Sequence, residues 1–133
     1  MAILSVKDLK VDFDTPDGIV HAVKGISFDV AKGECLGIVG ESGSGKSQSA
    51  LSALGLLAEN GTATGRIEFD GINMLDASVE TLRQIRGARM SMIFQDPLTS
   101  LTPHMTVGAQ MRETLALHKG LKGEAANKLC VEW

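Results

Sequence analysis

The sequence predicts an α/β fold that opens on antiparallel strands. Three observations predict it. The run Gly40-Glu41-Ser42-Gly43-Ser44-Gly45-Lys46-Ser47 fits the spacing G-x-x-x-x-G-K-[ST]. Before it, Cys35-Leu36-Gly37-Ile38-Val39 is a short apolar run that reads as a buried strand. After it, Gln48 to Leu57 is rich in Ala, Leu and Ser, lacks Pro, and reads as a helix with its one glycine at Gly55. Strand, glycine loop and helix in this order are the setting in which such a loop wraps phosphate groups.

The residue types follow from that task. A triphosphate tail carries several negative charges, and consecutive backbone N–H groups surround it only where the chain bends into a concave nest. Gly40, Gly43 and Gly45 allow the positive φ values and close approach that the bend needs. The backbone from Ser42 to Gln48 forms the cradle, and the helix N-terminus adds N–H groups and a partial positive charge. Lys46 supplies a flexible point charge for the β- and γ-phosphates. Ser47 offers a hydroxyl to Mg²⁺. The motif is that of P-loop NTPases, with ATP and Mg²⁺ as the expected cofactors.

Composition bounds the rest. The 133 residues suffice for one domain with a core. Hydrophobic residues make up 44% and charged residues 22%, as in an ordinary soluble protein. A net charge of −3 gives no basic surface for nucleic acid. Cys35 and Cys130 lie far apart; Cys35 is expected as a small hydrophobe in its strand, and a reduced cytosolic chain is expected. His21, His104 and His118 show no metal spacing and read as surface or loop residues. The N-terminus lacks a basic segment and a long apolar core, so it is not read as a signal peptide. No run reaches the ~20 apolar residues of a membrane span, so a membrane role is expected to come through a partner.

In chain order, Ala2 to Val6 and Lys10 to Phe13 read as two short strands, the second alternating apolar and polar residues. Thr15-Pro16-Asp17-Gly18 is a turn, Ile19 to Val30 a further strand, and Ala31-Lys32-Gly33-Glu34 another turn. Past the glycine-loop helix, Ala58 to Thr64 reads as loop. Gly65 to Phe69 alternates as a strand, Asp70-Gly71 is a hairpin turn, and Ile72 to Leu75 its return. Asp76 or Ser78 caps a helix reaching about Arg86. Arg89 to Phe94 reads as a strand stopped at Gln95-Asp96-Pro97. Val107, Met111, Leu115 and Leu117 share roughly one face of a helix that Gly120 ends. A last helix runs from Glu124 to about Trp133. Met105 and Met111 read as core or interface filler.

Several motifs align together. Met92-Ile93-Phe94-Gln95-Asp96-Pro97-Leu98-Thr99-Ser100-Leu101-Thr102-Pro103 resembles the Q-loop of ABC transporter ATPases. Its wording is similar to the branch that imports dipeptides, oligopeptides and nickel, with Thr102 where that branch commonly has Asn. The Gly40–Ser47 wording is similar to the same branch, as is Val-x-Phe-x-Thr-x-x-Gly at Val11, Phe13, Thr15 and Gly18. The resemblance covers essentially the whole chain and implies roles for its residues. Phe13 matches the aromatic that stacks on adenine. Gln95 matches the glutamine that meets Mg²⁺ and the attacking water and couples ATP to the permease. The segment after Gln95 starts the helical subdomain that touches it. Implied partners are transmembrane permease subunits, a second ATPase subunit (the same or a different chain) and, indirectly, an extracytoplasmic substrate-binding protein. The implied location is the cytoplasmic face of the cell membrane.

Other marks of such a cassette are missing. No Leu-Ser-Gly-Gly-Gln signature, no apolar run ending in Asp-Glu and no later switch His follows. The expectation is therefore the N-terminal part of an ABC ATPase domain with an incomplete sheet. Residues 1–34 form its antiparallel β region, 35–94 its P-loop core, and 95–133 the Q-loop and the start of the helical subdomain. The incomplete sheet should leave an exposed edge and apolar surface. Binding with little turnover is expected. The alternatives are another P-loop NTPase or kinase, and a non-catalytic interaction fragment.

Overall fold

The computed structural model describes residues 1–132, the side chain of Leu98 excepted. The chain divides into two units, Met1–Gln84 and a second from Ile85 onward.

The first unit is built on a long hairpin. Strand β1 (Ala2–Thr15) pairs antiparallel with β2 (Gly18–Ala31), closed at Thr15 and Gly18 around Pro16-Asp17. Pro16 presets its own φ, and the Thr15 hydroxyl donates to the Gly18 carbonyl at 2.6 Å. Strand β3 (Gly61–Phe69) pairs antiparallel with the other side of β1, and the short β4 (Ile72–Asn73) returns beside β3. The sheet order is β2-β1-β3-β4. Val6, Leu9 and Val11 of β1, Val23 of β2 and Ile67 and Phe69 of β3 form its buried face.

The sequence reads β1 as two strands; the structure makes it one. The break lies at a bulge, where the register with β3 shifts between Lys7 and Lys10. Asp8 takes a positive φ of 48° there, and its N–H donates to the Ser27 hydroxyl at 2.9 Å. A bulge leaves one residue unpaired but lets the strand continue, so pairing resumes at Lys10. The hairpin at Asp70-Gly71 forms as read, with positive φ at both turn residues. Strand β3 starts earlier than its alternation suggests. Gly61 to Thr64, read as loop, pair with Lys10 to Phe13.

Helix α1 (Lys46–Ala53) is shorter than the run to Leu57. Gly55 turns left-handed at φ 63°, and Leu56 N–H reaches back to the Leu51 carbonyl while Gly55 N–H reaches Ser52. This Schellman arrangement ends the helix. Two serines lie on its buried side. Ser49 and Ser52 satisfy their hydroxyls on the carbonyls of Gly45 (2.9 Å) and Gln48 (2.7 Å), which lets polar residues be buried there. Helix α2 (Val79–Ile85) is capped by Ser78, whose Oγ accepts from Thr81 N–H at 3.2 Å. Asp76, the other candidate cap, instead accepts from the Asn73 amide.

Two expected strands do not form. Cys35 to Val39 and Met92 to Phe94 carry no ladder hydrogen bonds, and of Arg89 to Phe94 only Met90 makes an isolated bridge, to Arg86. Val39 is 94% exposed and Ile93 89%. Cys35 is exposed rather than buried. Apolar runs of this kind suit strands covered on both faces of a parallel sheet. The described strands are all antiparallel and give these runs no neighbour to pair with. Leu36, Ile38, Val39, Ile93 and Phe94 therefore remain on the surface, as expected for an incomplete sheet, while Met90 and Met92 are half-buried. Val39→Lys and Ile93→Lys are each expected to change unfolding free energy by less than about 0.5 kcal/mol while raising solubility. Denaturant titration checks this; a loss above about 2 kcal/mol would show that the positions are packed.

In the second unit, Pro97–Ser100 forms a 3₁₀ turn, and helices α3 (Val107–Lys119) and α4 (Gly123–Glu132) pack together. Thr106 caps α3 by accepting from Ala109 N–H at 3.2 Å, and Gly120 ends it at φ 65°. Arg112 ties the two helices through the Asn127 side chain. The end of α4 read at Trp133 lies outside the described residues. His118 is not a loop residue: it sits in the last turn of α3, its ring so close to Gly87 that a Cβ there would fall 2.6 Å from Nε2. None of the described helices is long and apolar enough to cross a membrane.

Candidate functional site

Gly45 is the pivot of the glycine loop. It caps α1 in a left-handed conformation, φ 89°, and no side chain caps the helix. The N–H groups at the start of α1 are thus left to an outside acceptor. Gly43 is also left-handed, φ 80°. Close approach matters as much as φ. A Cβ on Gly45 would fall 2.4 Å from the Ala22 carbonyl oxygen, so the loop can rest on β2 only with glycine there. Gly40 needs no positive φ; its Cβ would instead fall 2.6 Å from Ser44 Oγ.

Lys46 closes the loop. Its Nζ donates to the carbonyls of Gly40 and Glu41, both at 2.6 Å, and to Ser44 Oγ at 3.2 Å. All three ammonium donors are therefore used by the loop itself. The positive charge sits within the curl, where an anion at the helix N-terminus would meet it. Ser47 follows in the first turn of α1 with its side chain exposed. A hydroxyl there is a suitable single donor to a magnesium ion that accompanies a bound triphosphate. The glycine cradle, the uncapped helix and the lysine fit a nucleotide tail.

Beside the loop lies a cavity of about 490 Å³, lined by His21, Ala22 and Lys24 of β2, Ile38, and Gly43 to Lys46 among others. That volume suits a small ligand. Phe13 is not among its lining residues. It is half-buried, and its ring lies over Gly61, whose Cβ would fall 2.6 Å from it. Glu41, Ser42 and Ser44 are exposed on the loop, and Gln48 is half-buried in α1. Gln95 belongs to the second unit, where it is exposed just before the 3₁₀ turn.

Two features of this kind escape a motif reading. His21 lines the cavity, and its Nδ1 lies 2.7 Å from Asp12 Oδ1. Counting outward from the Thr15–Gly18 closure places the two opposite each other, so the turn carried that signal. Gln110 of α3 clamps the segment after the Q-loop-like run. Its Oε1 accepts from Thr102 N–H at 3.0 Å, and its Nε2 donates to the Thr102 and Met105 carbonyls, both at 3.2 Å. No sequence spacing marks such a clamp. Gln110→Ala is expected to cost about 1–2 kcal/mol and to speed hydrogen exchange at the Thr102 amide, read by mass spectrometry.

A glycine loop closed by a lysine, between an antiparallel β layer and a helix, is the arrangement of P-loop folds. The sequence model of the ABC transporter family matches residues 23–130, so the chain belongs to that family. It is 54% identical over 125 residues to the oligopeptide transport ATP-binding protein OppD of Escherichia coli, covering 93% of this chain and 37% of that protein. It is 48% identical over 128 residues to the dipeptide transport ATP-binding protein DppD of Bacillus subtilis, covering 95% and 38%. A dimeric, post-hydrolysis structure of the ATP-binding cassette MJ0796 bound to ADP and Pi superposes with a TM-score of 0.83 at 25% identity, covering 97% of this chain and 54% of that one. The fold is that of an ABC cassette with its sheet left open. The chain spans less than two fifths of the length of these curated relatives.

Proposed function

We propose that this chain is the nucleotide-binding part of the ATP-binding subunit of an ABC importer for peptides or related small cargo. The observation that carries the reading is the loop closed around the Lys46 ammonium at an uncapped helix N-terminus. Lys46 neutralises the β- and γ-phosphates, and the backbone of Gly40, Glu41, Ser42, Gly43, Ser44, Gly45, Lys46, Ser47 and Gln48 cradles them. Ser47 and Gln95 are the ligands assigned to Mg²⁺, which supplies charge neutralisation on the phosphates. Gln95, a neutral amide able both to accept and to donate, senses the nucleotide. Phe13 stacks on the adenine. Residues 1–34 frame the base, 35–94 hold the phosphates, and 95–133 pass the signal to the permease.

The peptide cargo follows from the names of the relatives. Partners in this reading are transmembrane permease subunits, a second ATPase subunit and, through the permease, an extracytoplasmic binding protein. The subunit sits peripherally on the cytoplasmic face of the membrane. The sequence holds no apolar run ending in Asp-Glu and no signature, so an acidic Mg²⁺ partner is not supplied and turnover is low.

The test is equilibrium dialysis of labelled Mg-ATP together with a phosphate-release assay. ATP should be retained with almost no phosphate released by the chain alone. Addition of a polypeptide covering the remaining length of the relatives should bring turnover. Failure to retain ATP would contradict the reading, and transfer of the γ-phosphate to an added acceptor would replace it with a kinase.

A further inference from the structure

We propose that the solvent face of the antiparallel sheet is a docking surface for an extended acidic peptide segment of a partner protein, held by Lys7, Lys10, Lys24 and Arg66. The inference is independent of the nucleotide-binding reading and starts from the strand register. Val6, Leu9 and Val11 of β1, Val23 of β2 and Ile67 of β3 are buried. Their strand neighbours Lys7, Lys10, Lys24 and Arg66 are exposed on the other face. Lys7 stands directly opposite Arg66, and Lys10 directly opposite Lys24. Asp8 is the extra residue of the bulge, so Lys7 and Lys10 are successive outward positions on β1. The result is two adjacent rows of cations on a chain whose net charge is −3.

Stability gives no reason for such rows, because like charges directly opposite each other disfavour the sheet. The carboxylates of the same face do not cancel them. Glu68 pairs with Arg66, Oε2 lying 2.8 Å from Nη2, and Asp12 pairs with His21. Lys7, Lys10 and Lys24 have no ion-pair partner among the described residues. Shape adds to charge, since Ser5, Lys7, Arg66 and Glu68 are among the residues lining a hollow of about 520 Å³. The form of the partner follows from the neighbouring rows. Glu68 and Asp29 stand on either side of Ser5 beyond one end of the cations, and Asp12 stands beyond the other. A flat anionic membrane would meet those carboxylates along with the lysines. Single-stranded nucleic acid needs rings to stack on, and none of these rows carries Phe, Tyr or Trp. A narrow extended peptide meets neither obstacle. On β3 the two cationic rows, at Arg66 and Thr64, are two residues apart. That is about 7 Å, the spacing of alternate side chains on one face of an extended chain. Carboxylates at alternate positions of a peptide therefore reach both rows.

The probe is a fluorescent peptide of alternating Glu and Thr, four of each, titrated with the full chain in the absence of nucleotide and read by anisotropy. Binding is expected at low ionic strength and should weaken as salt rises. Lys7→Gln, Lys10→Gln and Lys24→Gln should each weaken it about 1.5- to 5-fold, and the three together by at least about 10-fold. None of them should lower the denaturation midpoint, since each removes a like-charge neighbour. The control combines Lys119→Gln, Lys122→Gln and Lys128→Gln, the same change in net charge made on exposed lysines of the second unit. It should bind the peptide as wild type does. No binding by wild type, or equal losses in the two triple variants, overturns the proposal. Equal affinity for a peptide with its glutamates in one block overturns the match to the two rows. Binding of phosphatidylserine vesicles or of oligothymidine through Lys7, Lys10 and Lys24, with no binding of the peptide, overturns it in favour of that partner.

Discussion

Lys46→Ala is expected to lower Mg-ATP affinity by at least about 100-fold, to below detection in an ordinary titration. Two effects act in the same direction. The variant removes the positive charge that a phosphate at the helix N-terminus would meet. It also removes the three donors that hold Gly40, Glu41 and Ser44 around the curl, so the loop loses its shape before any ligand arrives. Lys46→Arg separates the two. Arg keeps the charge, but its planar fork cannot reproduce three convergent bonds from a single nitrogen. It should retain weak binding where Ala retains none. Calorimetry on the three proteins decides the matter, and equal affinity in Lys46→Ala would remove the loop from the account.

Gly65→Ala should have the largest effect on folding. Gly65 has a φ of +101° and lies in β3 beside the bulge of β1. A Cβ there would fall 2.5 Å from the Asp8 carbonyl oxygen and 2.7 Å from that of Lys7. Both obstacles are backbone, so no side chain can swing aside. The strained φ and the clash together should cost about 3 kcal/mol or more. That is a large part of the stability of a small domain. Gly71 is the control. It has a φ of +82° with nothing within 4 Å of its Cβ position, so Gly71→Ala should cost only the backbone strain. Chemical denaturation of both variants should place Gly65→Ala well below Gly71→Ala; the reverse order would contradict the bulge geometry.

The parts that were legible in the sequence are those fixed by local chemistry. The turn at Pro16-Asp17, the hairpin at Asp70-Gly71, the Ser78 cap and the Gly120 stop each depend on a few adjacent residues. The glycine loop belongs with them, since its curl is made by Gly43, Gly45 and the reach of Lys46. What was not legible depends on distant partners. Cys35 to Val39 has the composition of a buried strand, but a strand forms only where another chain segment accepts its hydrogen bonds. The bulge at Asp8 looked like a gap between strands, because hydrophobic alternation breaks there while pairing does not. Gly61 to Thr64 looked like loop because Asn60-Gly61 resembles a turn; the register with Lys10 to Phe13 overrode it. The Asp12–His21 pair was readable from the hairpin count, whereas the Gln110 clamp joins a side chain to backbone carbonyls that any residue could present.

The central claim is that residues 40–48 of this chain form a shaped phosphate cradle. The most direct measurement is a nitrogen–proton NMR titration with Mg-ATP, following the backbone amides. The account predicts that the amides of Gly43, Gly45, Lys46 and Ser47 shift most and saturate together, while those of Thr62 to Ile67 on β3 stay in place. Saturating Mg-ATP that leaves the loop amides unmoved, or that shifts residues elsewhere instead, would contradict it.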